Sequence, residues 1–191
     1  MARVYRHQVD EDILDRAAGL FAQHGFEQTS LKSLADAAGL SKAGLLHHFP
    51  SKEALFQAAR QLGRDHSRRV LEHVRALPPG PVRDRQVLEL LTDIALDRPG
   101  LVALMFRAVN APHDSPTDNG DELMLPELFA VDLDDRSERA IRVIGALSAM
   151  AVLTITANRA GDKTGWRPKI IATCFDALGH PRPQSDDQVE A

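Results

Sequence analysis

The residues best suited to chemistry lie between Thr29 and Lys52. Ser41, Lys42, Ala43 and Gly44 stand together: a hydroxyl, a cation and two residues of almost no bulk. Such a set lets backbone and short side chains approach the edges of bases, and a helix amino end favours phosphate. Leu46, His47 and His48 follow, then Ser51 and Lys52 at the start of what reads as another helix. Thr29, Ser30 and Lys32, on the segment before, complete the candidate DNA face. Contacts to phosphate fix register and contacts to bases read sequence. Each residue also has a plainer reading. His47 and His48 could be ordinary surface or half-buried histidines, Lys52 a solvated charge, and Gly44 mere tolerance for close packing. The two histidines make a poor metal pair, because adjacent helical residues face different sides.

The frame for these residues is two short helices around a tight turn. Thr29 or Ser30 caps the first by accepting a bond from a first-turn N–H. Leu31, Leu34, Ala35 and Ala38 then share one face at helical spacing. Gly39 follows, where a chain leaving a helix often needs positive φ. Leu40 plugs the corner and Ser41 caps the second helix, whose inner face is Leu45 and Phe49. Pro50 limits its continuation. This is the helix-turn-helix arrangement that places a second helix in the major groove.

Residues 13 to 56 resemble the tetracycline-repressor (TetR) family of bacterial transcription regulators. The likeness is carried by Ile-Leu-Asp-Arg-Ala-Ala-Gly-Leu-Phe-Ala-Gln-His-Gly-Phe, by Leu-Ala-Asp-Ala-Ala-Gly-Leu-Ser-Lys, and by His-His-Phe-Pro-Ser-Lys-Glu-Ala-Leu. One position departs. The family usually has a tyrosine that touches the DNA backbone where this chain has Leu46, which cannot donate a hydrogen bond. Either one phosphate contact is missing, or water or His47 takes it over.

The chain has 191 residues, 43% hydrophobic and 26% charged, ordinary for a soluble protein with a buried core. The net charge of −4 is unevenly spread. Residues 1 to 76 hold 11 Lys+Arg and 9 Asp+Glu, so +2, with six histidines; residues 77 to 191 hold 12 and 18, so −6. The front is the more basic part, and local charge matters more for DNA than the total. A lone Cys174 excludes an intramolecular disulfide and a cysteine zinc cluster, and reads as a small core residue. The opening Arg3, Arg6 and His7 do not read as a signal peptide. The charge-free run Val143 to Ala157 would span about 22 Å as a helix, short of the roughly 30 Å hydrocarbon core. A buried soluble helix, no membrane contact and a cytoplasmic location are expected.

In order, residues 1 to 8 read as a polar basic arm, disordered in the free protein. A first helix starts near Asp10, with Ile13, Leu14, Ala17, Ala18 and Phe21 as its stripe, and Gly25 ends it. The DNA-binding head is assigned to 9–56, with the helix-turn-helix at about 30–49. A long lever helix runs from Lys52 to about Ala76, and 57–80 form the connection. Pro78-Pro79-Gly80-Pro81 stops it. The helical body is assigned to 81–180: Val82 to Leu96, Leu101 to Ala111, an exposed loop at 112–122, Leu123 to Phe129 interrupted by Pro126, Ser137 to Arg159, and Arg167 to Leu178. A disordered tail, 181–191, completes an all-α chain.

The Ser137 helix is apolar on two faces, so both must be covered. Ile141, Ile144, Ser148, Ala151 and Ile155 lie near one, and Ala140, Val143, Leu147, Met150 and Thr154 near the other. A central helix in a monomer would satisfy this pattern equally. The resemblance implies a dimer through a four-helix bundle of the last two long helices, with Ile144, Ser148, Ala151, Ile155, Ile171 and Phe175 as interface candidates. It also implies an effector pocket in the body, for which Leu104, Met105, Phe106, Met124, Leu128, Phe129, Met150 and Trp166 are candidates. Such residues line pockets and also simply build cores. Arg107 or His113 could orient one polar end of a ligand. No nucleophile elbow, HExxH or cysteine–histidine pattern is present, so no catalytic residue, metal or cofactor is assigned. Asp132, Asp134 and Asp135 lack the glycine and glutamate of a calcium loop. The expected protein is a homodimeric repressor that binds double-stranded operator DNA and releases it on binding a small, largely apolar effector. The alternatives are a helical small-molecule binding protein and a DNA-binding protein without a ligand switch.

Overall fold

A computed structural model describes residues 2–110, 124–132, 135 and 137–180, without the side chains of 2–7, 108–110 and 125. Among the described residues there are nine α-helices and no strand. They are α1 (Ala2–Gln28), α2 (Leu31–Ala38), α3 (Lys42–His48), α4 (Lys52–Val74), α5 (Pro81–Asp97), α6 (Pro99–Asn110), α7 (Leu125–Phe129), α8 (Glu138–Ala160) and α9 (Lys163–Ala177). The expected exposed loop at 112–122 and the tail at 181–191 lie outside the described residues.

Two apolar clusters organise the chain. The first joins Ile13, Leu14, Ala17, Ala18 and Phe21 of α1 to Leu34, Leu45, Leu55, Phe56, Ala59 and Leu62. Phe21 meets Phe56 edge-on with ring centres 5.0 Å apart, a favoured aromatic geometry. The second joins Val87 and Leu88, Leu128 and Phe129, Val143, Ala146 and Met150, and Ile170, Cys174 and Phe175. α4 belongs to both: Leu55 to Leu62 pack in the first, and Val70 and Val74 in the second. A single helix therefore carries the head into the body.

Several boundaries differ from the sequence reading. α1 reaches back to Ala2, so the expected arm continues the helix, because residues 2–9 contain no proline or glycine to stop it. Pro126 opens α7 in its first turn, where its missing N–H costs nothing, and does not interrupt it. α9 begins at Lys163, four residues early, because Asp162 caps it by accepting from the Gly165 N–H (2.8 Å); Pro168 lies inside it. The first turn has orphan N–H groups to fill, and Asp162 is a good filler.

The head–body division at residue 81 is not clean. Leu101 and Leu104 of α6 are buried in the head cluster. α6 runs parallel to α1 and is tied to it at both ends. Asp15 Oδ1 accepts the Leu101 N–H (2.9 Å), capping α6 from the neighbouring helix. Arg98 donates to Asp12 (2.6 Å) and Glu11 (3.2 Å), and Arg107 donates to the Ala22 carbonyl (2.9 Å). Between these ties Gly100 lies directly on the Asp15 carbonyl and on Gly19, with no room for a Cβ.

A second clamp holds the body. Arg83, 8% exposed, donates to the carbonyls of Leu77 (3.0 Å), Glu127 (2.7 Å) and Leu128 (2.9 Å). Asp84, fully buried, pairs with Arg139 (2.7 Å) and His180 (2.7 Å). A buried charge persists only when paired and hydrogen-bonded, and both are. Cys174 is buried and its thiol is pushed up to about 11, so it stays protonated as a core residue. Among the described residues no cluster of His, Cys, Asp or Glu could hold a metal ion. Asp135 accepts the Ser137 N–H (2.6 Å) at the start of α8, a helix-start role.

Candidate nucleic-acid interface

Short capped helices build the interface. Ser30 caps α2, its Oγ accepting the Ser33 N–H (3.0 Å) while Ser33 Oγ accepts the Ser30 N–H (3.2 Å). The two bonds satisfy orphan donors reciprocally. Gly39, with φ 70, ends α2 in the left-handed conformation that glycine adopts without strain. Ser41 caps α3 by accepting the Gly44 N–H (3.0 Å). A Cβ on Gly44 would lie 3.2 Å from that oxygen, so Gly44 makes room for the cap. Ser51 caps α4 in the same way through the Ala54 N–H (3.1 Å). Leu45 is fully buried and anchors α3 from behind.

This leaves Ser30, Lys32, Ser41, Lys42, Ala43 and His47 exposed, with Gly44 and Leu46 half-buried among them. Three candidates have other engagements. Thr29 is 3% exposed and its hydroxyl donates to the Gly25 carbonyl (2.6 Å). It therefore closes the end of α1 and does not stand on the outer face. Lys52 Nζ donates to the Phe26 carbonyl (3.0 Å) and lies 4.2 Å from the centre of the Phe26 ring. It is a bolt between α4 and α1 before it is a phosphate ligand. His48 is half-buried, its Nδ1 2.7 Å from Asp10 Oδ1 of α1. Sequence reading missed Asp10 as a partner, because 38 residues separate the two and only the folded head brings them together. It also missed Arg16, which donates to the Ala37 carbonyl (3.3 Å) at the end of α2.

The family profile described as "Bacterial regulatory proteins, tetR family" matches residues 13–59. Residues 13–59 are thus a TetR-type amino-terminal domain. The sequence likeness to curated relatives lies in this head. The regulator RutR of Escherichia coli K12 is 52% identical over 46 residues, 24% of this chain and 22% of that one. The repressor KstR2 of Rhodococcus jostii is 48% identical over 44 residues, 23% of this chain and 22% of that one. The repressor AcnR of Corynebacterium glutamicum is 39% identical over 64 residues, 34% and 32%. The match thus spans about a fifth to a third of these curated relatives. The overall fold extends the likeness beyond the head. A TetR-like regulator from Rhodococcus sp. RHA1 superposes with a TM-score of 0.53 at 21% identity, covering 91% of this chain and 97% of that one. The TetR-family regulator PfmR of Thermus thermophilus gives 0.50 at 24%, covering 90% and 96%.

The body candidates do not assemble as one lining. Leu104 is in the head cluster, whereas Leu128, Phe129 and Met150 are tightly buried in the body core with Trp166 against it. Met105 lies on Gly63 of α4, its Sδ 3.1 Å from where a Cβ would be. Phe106 and Met124 are half-buried. Arg107 is committed to α1, and His113 lies outside the described residues. The interface candidates divide as well. Ile144 is 43% exposed, Ser148 and Ile155 are half-buried, and Ala151, Ile171 and Phe175 are buried within their own chain. The outward stripe of α8 includes two residues outside that set, Ile141 and Val152, 62% and 59% exposed.

Proposed function

We propose that this chain is a DNA-binding transcriptional regulator, acting as a repressor on a palindromic operator as a two-fold homodimer in the cytoplasm. The observation that carries the reading is the TetR-family head, with Ser41, Lys42, Ala43 and His47 exposed on one short, capped helix. Two of the relatives are named repressors, which supports that sign of control. The dimer is supported by α8, whose exposed Ile141, Ile144 and Val152 lie along one side. Contiguous apolar exposure on a helix marks an interaction surface. α8 is also the one described helix long and apolar enough to cross a membrane. Its inner side, Ala140, Val143, Ala146, Met150 and Thr154, is packed in the body, which favours a partner helix over lipid for the outer side.

A selection from random duplex DNA with the full chain tests the proposal. The expected product is an inverted repeat, with half-sites about 34–36 Å apart, one turn of the helix. Lys42→Ala is expected to change preference among operator variants. No enrichment of any sequence would overturn the reading.

Release by a small, largely apolar effector is the finer part. Thr92 Oγ1 on α5 is fully buried without a hydrogen-bond partner, and His66 Nε2 on α4 is buried and equally unpartnered. Burial and the neighbouring Arg69 push the His66 pKa down, which keeps the ring neutral. Such atoms suit one polar end of a mainly apolar ligand. A metabolite library read by thermal shift, then by operator release, tests it. A second reading, a DNA-binding protein without a ligand switch, is favoured by the division of the candidate lining between two cores. It predicts that no compound releases the operator.

A further inference from the structure

The stretch of α1 beside α3 carries three adjacent carboxylates, Asp10, Glu11 and Asp12. Two of them are taken by the body: Arg98 holds Glu11 at 3.2 Å and Asp12 at 2.6 Å. The third, Asp10, meets His48 Nδ1 at 2.7 Å. His48 is the last residue of α3, and its ring is also packed near His47 and Phe49, with centres 6.0 and 6.4 Å away. The Asp10 contact therefore sets the orientation of the ring.

We infer that Asp10 is a positioning residue that aims His48 Nε2 at an operator phosphate and makes that contact proton-linked. This rests on the DNA-binding reading above. A carboxylate has only acceptors, so Nδ1 must carry the proton in the pair. Nε2 is then the one polar atom of the side chain left for DNA. Against a phosphate oxygen, which also only accepts, Nε2 must donate, and a ring donating from both nitrogens is an imidazolium. Each half-site bound therefore takes up a proton from solvent, or keeps one already on the ring. The end of α3 favours such a cation, because the unpaired carbonyls of a helix carboxyl end carry partial negative charge. Among the described residues, three charged or titratable groups lie beside the ring. Asp10 is on α1, and His47 is on α3. Lys52, at the start of α4, is turned to the Phe26 carbonyl. The alternative role for Nε2 is to accept from a base amino group with the ring neutral, and that contact takes up no proton.

The test uses the full chain and an operator enriched by it from random duplex DNA, at constant salt. Wild-type Kd is expected to rise about tenfold per half-site between about pH 6 and about pH 8, the scale of one lost charge-assisted contact, and so about a hundredfold on a two-fold operator. His48→Gln and Asp10→Ala are expected to bind more weakly at the lower pH and to flatten the profile. His47→Gln is expected to keep it. Nitrogen-15 spectra of the histidine rings give an independent readout, with Nδ1 of His48 protonated in the wild type and the proton moved to Nε2 in Asp10→Ala at high pH. Asp10→Asn, which retains an acceptor oxygen, is expected to restore the ring's tautomer and orientation without the charge. Thermal unfolding of each variant identifies any that fails to fold. A flat wild-type profile, or Asp10→Ala binding that equals the wild type at about pH 6, overturns the inference while leaving DNA binding intact. A wild-type chain that enriches no sequence at all overturns the DNA-binding reading instead.

Discussion

At the scale of single residues, side chains that read as DNA ligands also hold the head together. Lys52 is the clearest case. Its ammonium has three donors, one of which is given to the Phe26 carbonyl while its charge faces the Phe26 ring. Lys52→Ala is therefore expected to do two things. Binding to all sequences weakens and its salt dependence flattens, as the loss of a phosphate contact requires. The free protein also loses stability, by about 1 kcal/mol for one hydrogen bond to a charged group, visible as a fall of about 2–4 °C in Tm. An unchanged Tm would remove the structural half of this account. Ala151 behaves differently from its sequence reading. At 4% exposure inside the body, Ala151→Phe is expected to cost about 1–3 kcal/mol by overpacking, measured by urea unfolding, and so serves poorly as a probe of a ligand cavity.

At the scale of elements, α6 is fastened along α1 in parallel, and the fastening has a pH signature. Burial raises the Asp15 pKa above its ordinary value of 3.8, against the pull of the Leu101 N–H and Arg98. A carboxyl with a raised folded pKa binds more protons in the native state across that window. Its contribution to stability is thus largest at low pH and falls as pH rises from the ordinary value through the raised one. Asp15→Asn keeps an acceptor for the Leu101 N–H and removes the titration. The stability of this variant relative to the wild type is expected to rise with pH across the acid range and level off above it, in urea titrations at several pH values. A constant difference would show that Asp15 does not titrate there. Gly100→Ala should be more disruptive than glycine-to-alanine changes usually are in a helix, where alanine is the better former. The new methyl would meet the Asp15 carbonyl, which is backbone and cannot swing away. Separation of α6 from α1 and a clear loss in Tm are expected.

At the scale of the molecule, the proposed dimer rests on the exposed stripe of α8. Ile141→Glu with Val152→Glu puts charges where a two-fold contact would bury them, and an unpaired buried charge is far more costly than the contact it replaces. Sedimentation is expected to shift from dimer to monomer at micromolar concentration. Operator affinity should fall with it, because a palindrome is read by two heads at once. Retained dimerisation would move the interface elsewhere. α4 links the two cores within one chain, since Leu55 to Leu62 belong to the head and Val70 and Val74 to the body.

The helix-turn-helix was legible in the sequence because its determinants are local. Ser30, Gly39, Ser41 and Ser51 act on backbone within a few residues of themselves, and Leu34 and Leu45 follow helical spacing. All-α class, the buried cysteine and the long helix from Lys52 were readable for the same reason. The tertiary structure alone decided which side chains are free. Thr29, Lys52 and His48 are polar in sequence like Lys42, yet carbonyls and a carboxylate from other turns claim them. It also decided that α6 serves the head, that Arg83 and Asp84 are buried, and that Ala151 and Ile171 face inward while Ile141 and Val152 face out. Periodicity reports that a helix has two apolar faces, but not which of them its own chain covers. That depends on contacts between residues far apart in sequence, and spacing along one helix carries no record of them.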